Sequence, residues 1–335
     1  MNARGLVVLA ALAVLSVVAT AAVLRTAAPT IASDRRGEFV VPGLADKAGD
    51  ISGFAVRQET DSITVERSDS GFAAADSGFP VKTEVVRDLL ASVSDLRFEE
   101  ARTSDPTRYG DLGLADPGAA NAGKEITIRT ARGELADVVV GNRDSSIGGP
   151  TGGMYVRLKG QPQTWLARGN VRLPSSKADW FAAVDLGVKG NQIVSVELSG
   201  GGLEKVEAKA NTEKPGELTL QEVPEKRVAD SAKVGRMVSF VEHFSFQDVR
   251  KRTKTSDDVR HMMVDLADGL RLVITTTGEL ADGWVQLSAQ AINDAARDKA
   301  SALGANVDRF DFRLSGNQAE ILRWTLADLT SEQRS

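Results

Sequence analysis

One order of segments occurs twice along this chain, and that recurrence limits the fold more than any single motif does. Apolar residues alternate in Phe54-Ala55-Val56 and in Ile63-Thr64-Val65, the period-two pattern of strands with one buried side. The spacing of Val85, Val86, Leu89, Leu90 and Val93 then predicts a helix over residues 81–94, with Thr83 placed to cap it and Glu84 suited to its first turn. A strand is expected at 96–101, a turn-rich loop through 109–117, and further strands at 126–128, 138–140, 155–158 and 164–166. A short terminal helix is expected at 175–186.

The second pass repeats the first. Val194-Ser195-Val196 answers Phe54-Ala55-Val56, and Leu218-Thr219-Leu220-Gln221-Glu222 answers Ile63-Thr64-Val65-Glu66-Arg67. Val234, Met237, Val238 and Val241 form the apolar stripe of a second helix. Phe244 to Arg250 matches Leu96 to Arg102, residues 263–266 and 272–275 read as the next strand pair, and Trp284-Val285-Gln286-Leu287 stands where Tyr155-Val156-Arg157-Leu158 stood. Trp324 to Leu329 resembles Trp180 to Leu186. The second half differs by a polar helical segment at 289–303. Fixed-order recurrence of this kind points to a tandem duplication. The expected class is α+β: an N-terminal transmembrane helix (1–25) and a linker (26–36), then two strand-rich units (37–187 and 188–330) with helices packed on antiparallel or mixed sheets.

The transmembrane expectation comes from residues 5–24, twenty uncharged residues bounded by Arg4 and Arg25. At about 1.5 Å of rise per residue they match a hydrocarbon core about 30 Å thick. A cleaved signal peptide is the competing reading, but its apolar region is normally about 7 to 15 residues long. The very short stub before the run favours a cytoplasmic N-terminus, which places the C-terminal bulk in the periplasm; Arg25, Arg35 and Arg36 on the other flank keep the reverse orientation open.

A net charge of −5 argues against nucleic acid as a partner, because binding a polyanion draws on surplus Lys and Arg. The absence of Cys excludes disulfides, thiolate nucleophiles and Cys-based metal sites. His243 and His261 are the only histidines. With Glu242, Asp257, Asp258 or Asp265 they match no metal-ligand spacing, and His243 reads as a helix C-cap. No cofactor is expected.

The glycine-rich stretch 141–153 could turn backbone N–H groups towards an anion, but no Gly-Lys-Ser/Thr and no helix follows it, so it reads as a long hairpin loop. Asp105, Asp111 and Asp116 sit beside Pro106 and Pro117, where turn chemistry explains them; a carboxylate pair for acid/base work is the sharper alternative. No Gly-x-Ser-x-Gly elbow marks a hydrolase. The run Arg250-Lys251-Arg252-Thr253-Lys254 reads as a charged strand edge, with partner or membrane contact as its alternative. Tyr155, Trp165, Trp180, Trp284 and Trp324 read as core, although a carbohydrate platform would use the same residue types.

The motifs Phe39-Val40-Val41-Pro42-Gly43-Leu44, Phe79-Pro80-Val81, Tyr109-Gly110-Asp111-Leu112-Gly113-Leu114-Ala115-Asp116-Pro117, Val138-Val139-Val140-Gly141-Asn142, Gly153-Met154-Tyr155-Val156-Arg157 and Thr164-Trp165-Leu166 occur in an order that resembles the domain-of-unknown-function 4340 family of bacterial membrane-anchored proteins. Phe72, where that family often has Trp, and Asp111, inside the Tyr-Gly-Leu-Gly-Leu loop, depart from its pattern. The resemblance implies an auxiliary of an ABC-type transport system, partnered by a permease and its ATPase, and brings no catalytic residues. The expected function is therefore a non-enzymatic, inner-membrane protein presenting an extracytoplasmic binding module. Glycan binding is the alternative, and an envelope hydrolase ranks below both. Partner contact is expected at Tyr109, Asp111, Leu112 and Asp116 of the first loop, at Asn142, Arg143 and Asp144 of the second, and at Tyr155, because irregular segments on a rigid scaffold commonly carry recognition.

Overall fold

The computed structural model describes residues 35–59, 61–147, 152–255 and 258–333. The apolar run at 5–24 lies outside them; among the described residues no helix is long and apolar enough to cross a membrane. The first part of the chain forms β1 (Ile51–Arg57), β2 (Ser62–Ser68), β3 (Gly71–Ala74), helix α1 (Thr83–Ser94), β4 (Arg97–Ala101), β5 (Lys124–Thr130), β6 (Gly133–Asp144), β7 (Gly153–Leu158) and β8 (Thr164–Arg168). After it come β9 (Ile193–Gly200), β10 (Val206–Ala210), β11 (Leu218–Leu220), β12 (Arg227–Ala229), α2 (Ser231–Glu242), β13 (Asp248–Lys251), β14 (Arg260–Leu266) and β15 (Leu270–Thr276). The chain ends with β16 (Trp284–Ala291), α3 (Arg297–Val307), β17 (Phe310–Arg313), α4 (Gly316–Arg323) and β18 (Thr330–Glu332).

These strands make two sheets of eight, ordered β3-β2-β1-β5-β6-β7-β8-β4 and β11-β10-β9-β14-β15-β16-β17-β13, with β12 and β18 paired separately. Position for position the two orders are the same. The fold is a mostly antiparallel, sheet-rich α+β arrangement with few helices. The counterpart of β2 is β10, so residues 218–220, read from sequence as its match, are one strand further on and correspond to β3.

Local sequence accounts for most elements. β14 and β15 alternate strictly between buried and half-buried residues, as a sheet with one covered face requires. Asp230 caps α2, its carboxylate accepting the N–H groups of Ala232 and Lys233 at 3.1 Å each, and Val234, Met237, Val238 and Val241 are buried as their spacing requires. Residues 175–186 do not form the expected helix. Ser176 and Asp179 close a single 3-10 turn, after which Phe181 runs extended beside Val81, with Lys82 N–H donating to Trp180 O and Ala182 N–H to Pro80 O. That extended path buries both Trp180 and Phe181. The polar helix expected from residue 289 begins only at Arg297, because residues 289–291 continue β16 in register with β15.

The chain gathers into two compact units. One comprises the described part of Met1–Gly49 with Leu90–Thr127 and Glu134–Arg172; the other comprises Asp50–Leu89, Ile128–Gly133 and the described part of Leu173–Ser335. In the first, Phe98 packs on Trp165 with ring centroids 4.8 Å apart, under the Arg35 guanidinium. In the second, Phe79 meets the rings of Phe181, Phe246, Phe310 and Phe312 edge-on at 5.0 to 5.9 Å, the geometry that aromatic quadrupoles favour.

The second unit also buries a cation completely. Arg260 has no exposed surface, and its guanidinium donates to Gly200 O, Leu203 O, Glu204 O, Leu322 O and Trp324 O at 2.9 to 3.2 Å. It thus ties the β9–β10 turn to the end of α4, and burial holds its pKa below the usual arginine value. Arg260→Met keeps much of the volume but strips five carbonyls of their donor, so the unfolding free energy is expected to fall by about 3 kcal/mol in urea titrations. A midpoint equal to that of the parent would contradict this role.

Candidate functional site

The loop expected to carry recognition is a folded element. Pro106–Leu112 forms a 3-10 helix that Asp105 caps, its carboxylate accepting Thr107 N–H at 3.0 Å and the Thr107 hydroxyl at 2.8 Å, with Pro106 at the first position. The helix stops at Gly113, whose φ of 67° and closeness to Asn142 Oδ1, 2.5 Å from where a Cβ would stand, admit glycine alone. Gly141 is equally constrained, since its Cβ would fall 2.3 Å from Leu112 O. Gly141 and Asn142 lie in a register shift between β6 and β7, a bulge that turns the hairpin towards this loop.

Beneath the loop, Tyr109 is buried and its hydroxyl donates to Pro162 O at 2.7 Å. Burial raises its pKa. The Arg157 guanidinium lies 4.7 Å from the Tyr109 ring centre and donates to Asp116 Oδ1 at 2.6 Å. Asp144 accepts from Ser146 N–H at 2.7 Å and from the Tyr155 hydroxyl. The Ser146 and Tyr155 hydrogen bonds hold the Asp144 carboxyl down at about 2, and the bond to Asp144, ahead of burial, raises the Tyr155 phenol.

Between the end of β4, the 3-10 helix and β7 lies a cleft of about 350 Å³ lined by Glu100, Ala101, Arg102, Thr103, Arg108, Asp111, Leu112 and Tyr155. Its charges are paired. Arg102 meets Glu100 at 3.2 Å, Arg108 meets Asp111 at 3.6 Å, and Arg102 also sits 5.8 Å from the Tyr155 ring centre. Such a lining gives a partner an aromatic face and two ion pairs whose members can be exchanged for its own charges.

Of the residues expected to make contact, Asp111, Leu112 and Tyr155 line this cleft. Asp144 bonds the Tyr155 hydroxyl, Tyr109 and Asp116 each meet Arg157, and Asn142 lies against Gly113; Arg143 is exposed and does not line the cleft. The three carboxylates weighed as an acid/base group have separate tasks: Asp105 caps, Asp111 pairs with Arg108 and Asp116 with Arg157. Glu100, Arg102, Thr103 and Arg108 went unread in the sequence, where they look like ordinary strand-end and turn polarity. Residues 148–151 of the glycine-rich loop, and Asp257, lie outside the described residues.

Elsewhere, His243 is the C-cap of α2 and lines a groove of about 580 Å³ with Arg236, Ser239, Asn317 and Gln318. His261 Nδ1 lies 3.0 Å from the Thr275 hydroxyl. Among the described residues no group of three or more His, Asp or Glu could hold a metal ion. Trp165, Trp180 and Trp324 are buried, and only Tyr155 and Trp284 of the five aromatics keep part of a face outside.

A family model described as Domain of unknown function (DUF4340) matches residues 72–262. No curated protein and no solved structure matches the chain. The Asp144 link sets a pH test. Because its folded pKa lies below the ordinary value of 3.8, the stabilisation it gives is complete above that value and is lost as the pH falls towards about 2. A carboxyl ¹³C titration is expected to place the Asp144 midpoint near 2, moving back towards 3.8 in Tyr155→Phe. A parent midpoint already at 3.8 would contradict the link.

Proposed function

The chain belongs to the DUF4340 family, and from that premise we propose that it is a non-enzymatic, membrane-anchored binding module that serves an ABC-type transport system as an auxiliary subunit. The anchor is residues 5–24, whose length and lack of charge suit a single crossing of the inner membrane, with the folded bulk in the periplasm. The permease and its ATPase enter this reading through the order of motifs, which resembles that of membrane-anchored transport companions.

The observation that carries the binding reading is the cleft of Glu100, Arg102, Arg108, Asp111, Leu112 and Tyr155. Arg and Tyr are the side chains most often found at the energetic centres of protein interfaces, where a fixed aromatic and a guanidinium supply contact area and directed hydrogen bonds at little entropic cost. Here both are held from behind: Tyr155 by Asp144, and the loop by Tyr109, Arg157 and Asn142. Each carboxylate in the lining already answers an arginine, an arrangement suited to recognition more than to proton transfer.

Mild cross-linking of membranes followed by affinity purification of the full-length chain is expected to recover a permease and an ATPase in fixed ratio. Tyr155→Ala combined with Arg108→Glu should lower that recovery about tenfold or more while leaving circular dichroism unchanged. Full recovery with the double variant would remove the cleft from the interface, and no transporter component in the parent sample would overturn the auxiliary reading.

A further inference from the structure

The basic run at 250–254 takes no part in the cleft, and the fold brings further cations beside it. Its first residues belong to β13, which pairs with β17; together residues 248–255 and 308–313 carry six cations and three carboxylates, in a chain whose net charge is −5. The three carboxylates are already answered. Asp311, completely buried, accepts from Arg250 at 3.1 Å; Asp308 Oδ1 lies 3.8 Å from Arg252; and Asp248 meets Lys177, from outside these two segments, at 2.7 Å. Lys251, Lys254, Arg309 and Arg313 are left exposed, with no ion-pair partner among the described residues.

Three of these four share one side of the sheet. Arg309, Asp311 and Arg313 alternate along β17 and its lead-in, where Arg252 N–H continues the ladder by donating to Arg309 O at 2.9 Å, so the three side chains stand on one face. Residues 253–255 are drawn over that face. Thr253 donates to Asp311 through its N–H at 3.3 Å and its hydroxyl at 2.7 Å, and Gln286 Nε2 donates to Thr253 O at 2.7 Å. Lys254, next to this pinned threonine, is exposed. Trp284 of β16 lies opposite Arg313, half-buried, with the Arg250 guanidinium 4.1 Å from its ring centre.

The spacing selects the occupant. Arg309 and Arg313 are four residues apart in extended chain, about 13 Å, and the Asp311 carboxylate stands between them on the same face. A single small anion centred there would meet that carboxylate. Each arginine instead calls for its own negative group, and a surface of many anions side by side supplies them. A chain whose residues 5–24 suit a bilayer crossing is held beside such a surface, and basic side chains around a half-buried tryptophan suit its headgroup layer.

We propose that this face of β13, β17 and residues 253–255 rests on the anionic headgroups of the bilayer that holds residues 5–24, with Lys254, Arg309 and Arg313 against lipid phosphates. The attraction is electrostatic, so salt releases it. The inference rests on the anchor of the reading above and on neither the transporter nor the cleft.

The full-length chain can be placed in nanodiscs of phosphatidylcholine alone or with an equal share of phosphatidylglycerol. Acetylation of Lys254 by an uncharged amine reagent is then read by mass spectrometry against exposed Lys226 in the same sample. The relative Lys254 rate is expected to fall about tenfold in the anionic discs, and to recover at high salt and in Arg309→Glu with Arg313→Glu. Equal rates in the two lipids, or a lower rate that salt or the charge reversal leaves unchanged, would overturn the proposal; the lipid and salt comparisons need no variant to fold. A chain that enters neither kind of disc would overturn the anchor and the proposal with it, a result read from disc incorporation before any labelling.

Discussion

Every open β-sheet ends in two strands with half of their backbone N–H and C=O groups facing away from the ladder, and the way those groups are met organises this molecule. At the β3 end, the chain turns back on itself, so that Ala74 N–H reaches Phe79 O and Val81 N–H reaches Phe72 O. The same return carries Phe79 among Phe181, Phe246, Phe310 and Phe312, so closing a sheet edge also builds a core. At the β4 end the strap at 37–40 does the covering and buries Val40, Val41 and Leu44. Edge closure and hydrophobic burial are coupled in both places.

The outer strands also carry related chemistry. Arg102 follows β4 and lies near the ring of Tyr155 in β7; Arg250 in β13 lies 4.1 Å from the ring centre of Trp284 in β16. Each half thus places a guanidinium by an aromatic residue on the corresponding strands. In the first half Asp144 engages the phenol from the side, leaving the cleft open, while in the second half buried Asp311 gathers Arg250, Thr253 and Gln286 into a closed network. One plan yields an exposed recognition surface in one copy and an internally satisfied polar core in the other, because a full set of partners for a buried carboxylate leaves no bonding capacity for a ligand.

Much of the fold was legible because period-two and period-3.6 apolar patterns were clean at β1, β2, β14, β15, α1 and α2. What the sequence hid were elements fixed by distant partners. β3 and β10 are short, and their existence depends on β2 and β9 rather than on their own pattern. Residues 175–186 read as a helix in sequence, and only the pairing of residues 180–182 with 80–82 draws Trp180 and Phe181 into an extended path. Arg260 gave no signal at all, since nothing local shows that five carbonyls converge on it. In the cleft, the loop and Tyr155 could be read from glycines, prolines and an aromatic on an alternating strand, but Glu100, Arg102 and Arg108 became site residues only when β4 was laid beside β7's outer neighbour, β8.

The contrast between a bonded and an unbonded edge amide can be measured directly as amide hydrogen exchange in the full-length protein, residue by residue. The account expects Phe98, bonded to Glu38 O, to exchange slowly and Lys251, exposed on β13 with no backbone acceptor for its N–H among the described residues, to exchange at nearly the rate of an unstructured amide. Equal protection of the two would mean that β13 is already covered or that the strap is not seated, and either result would contradict the asymmetry on which the account rests.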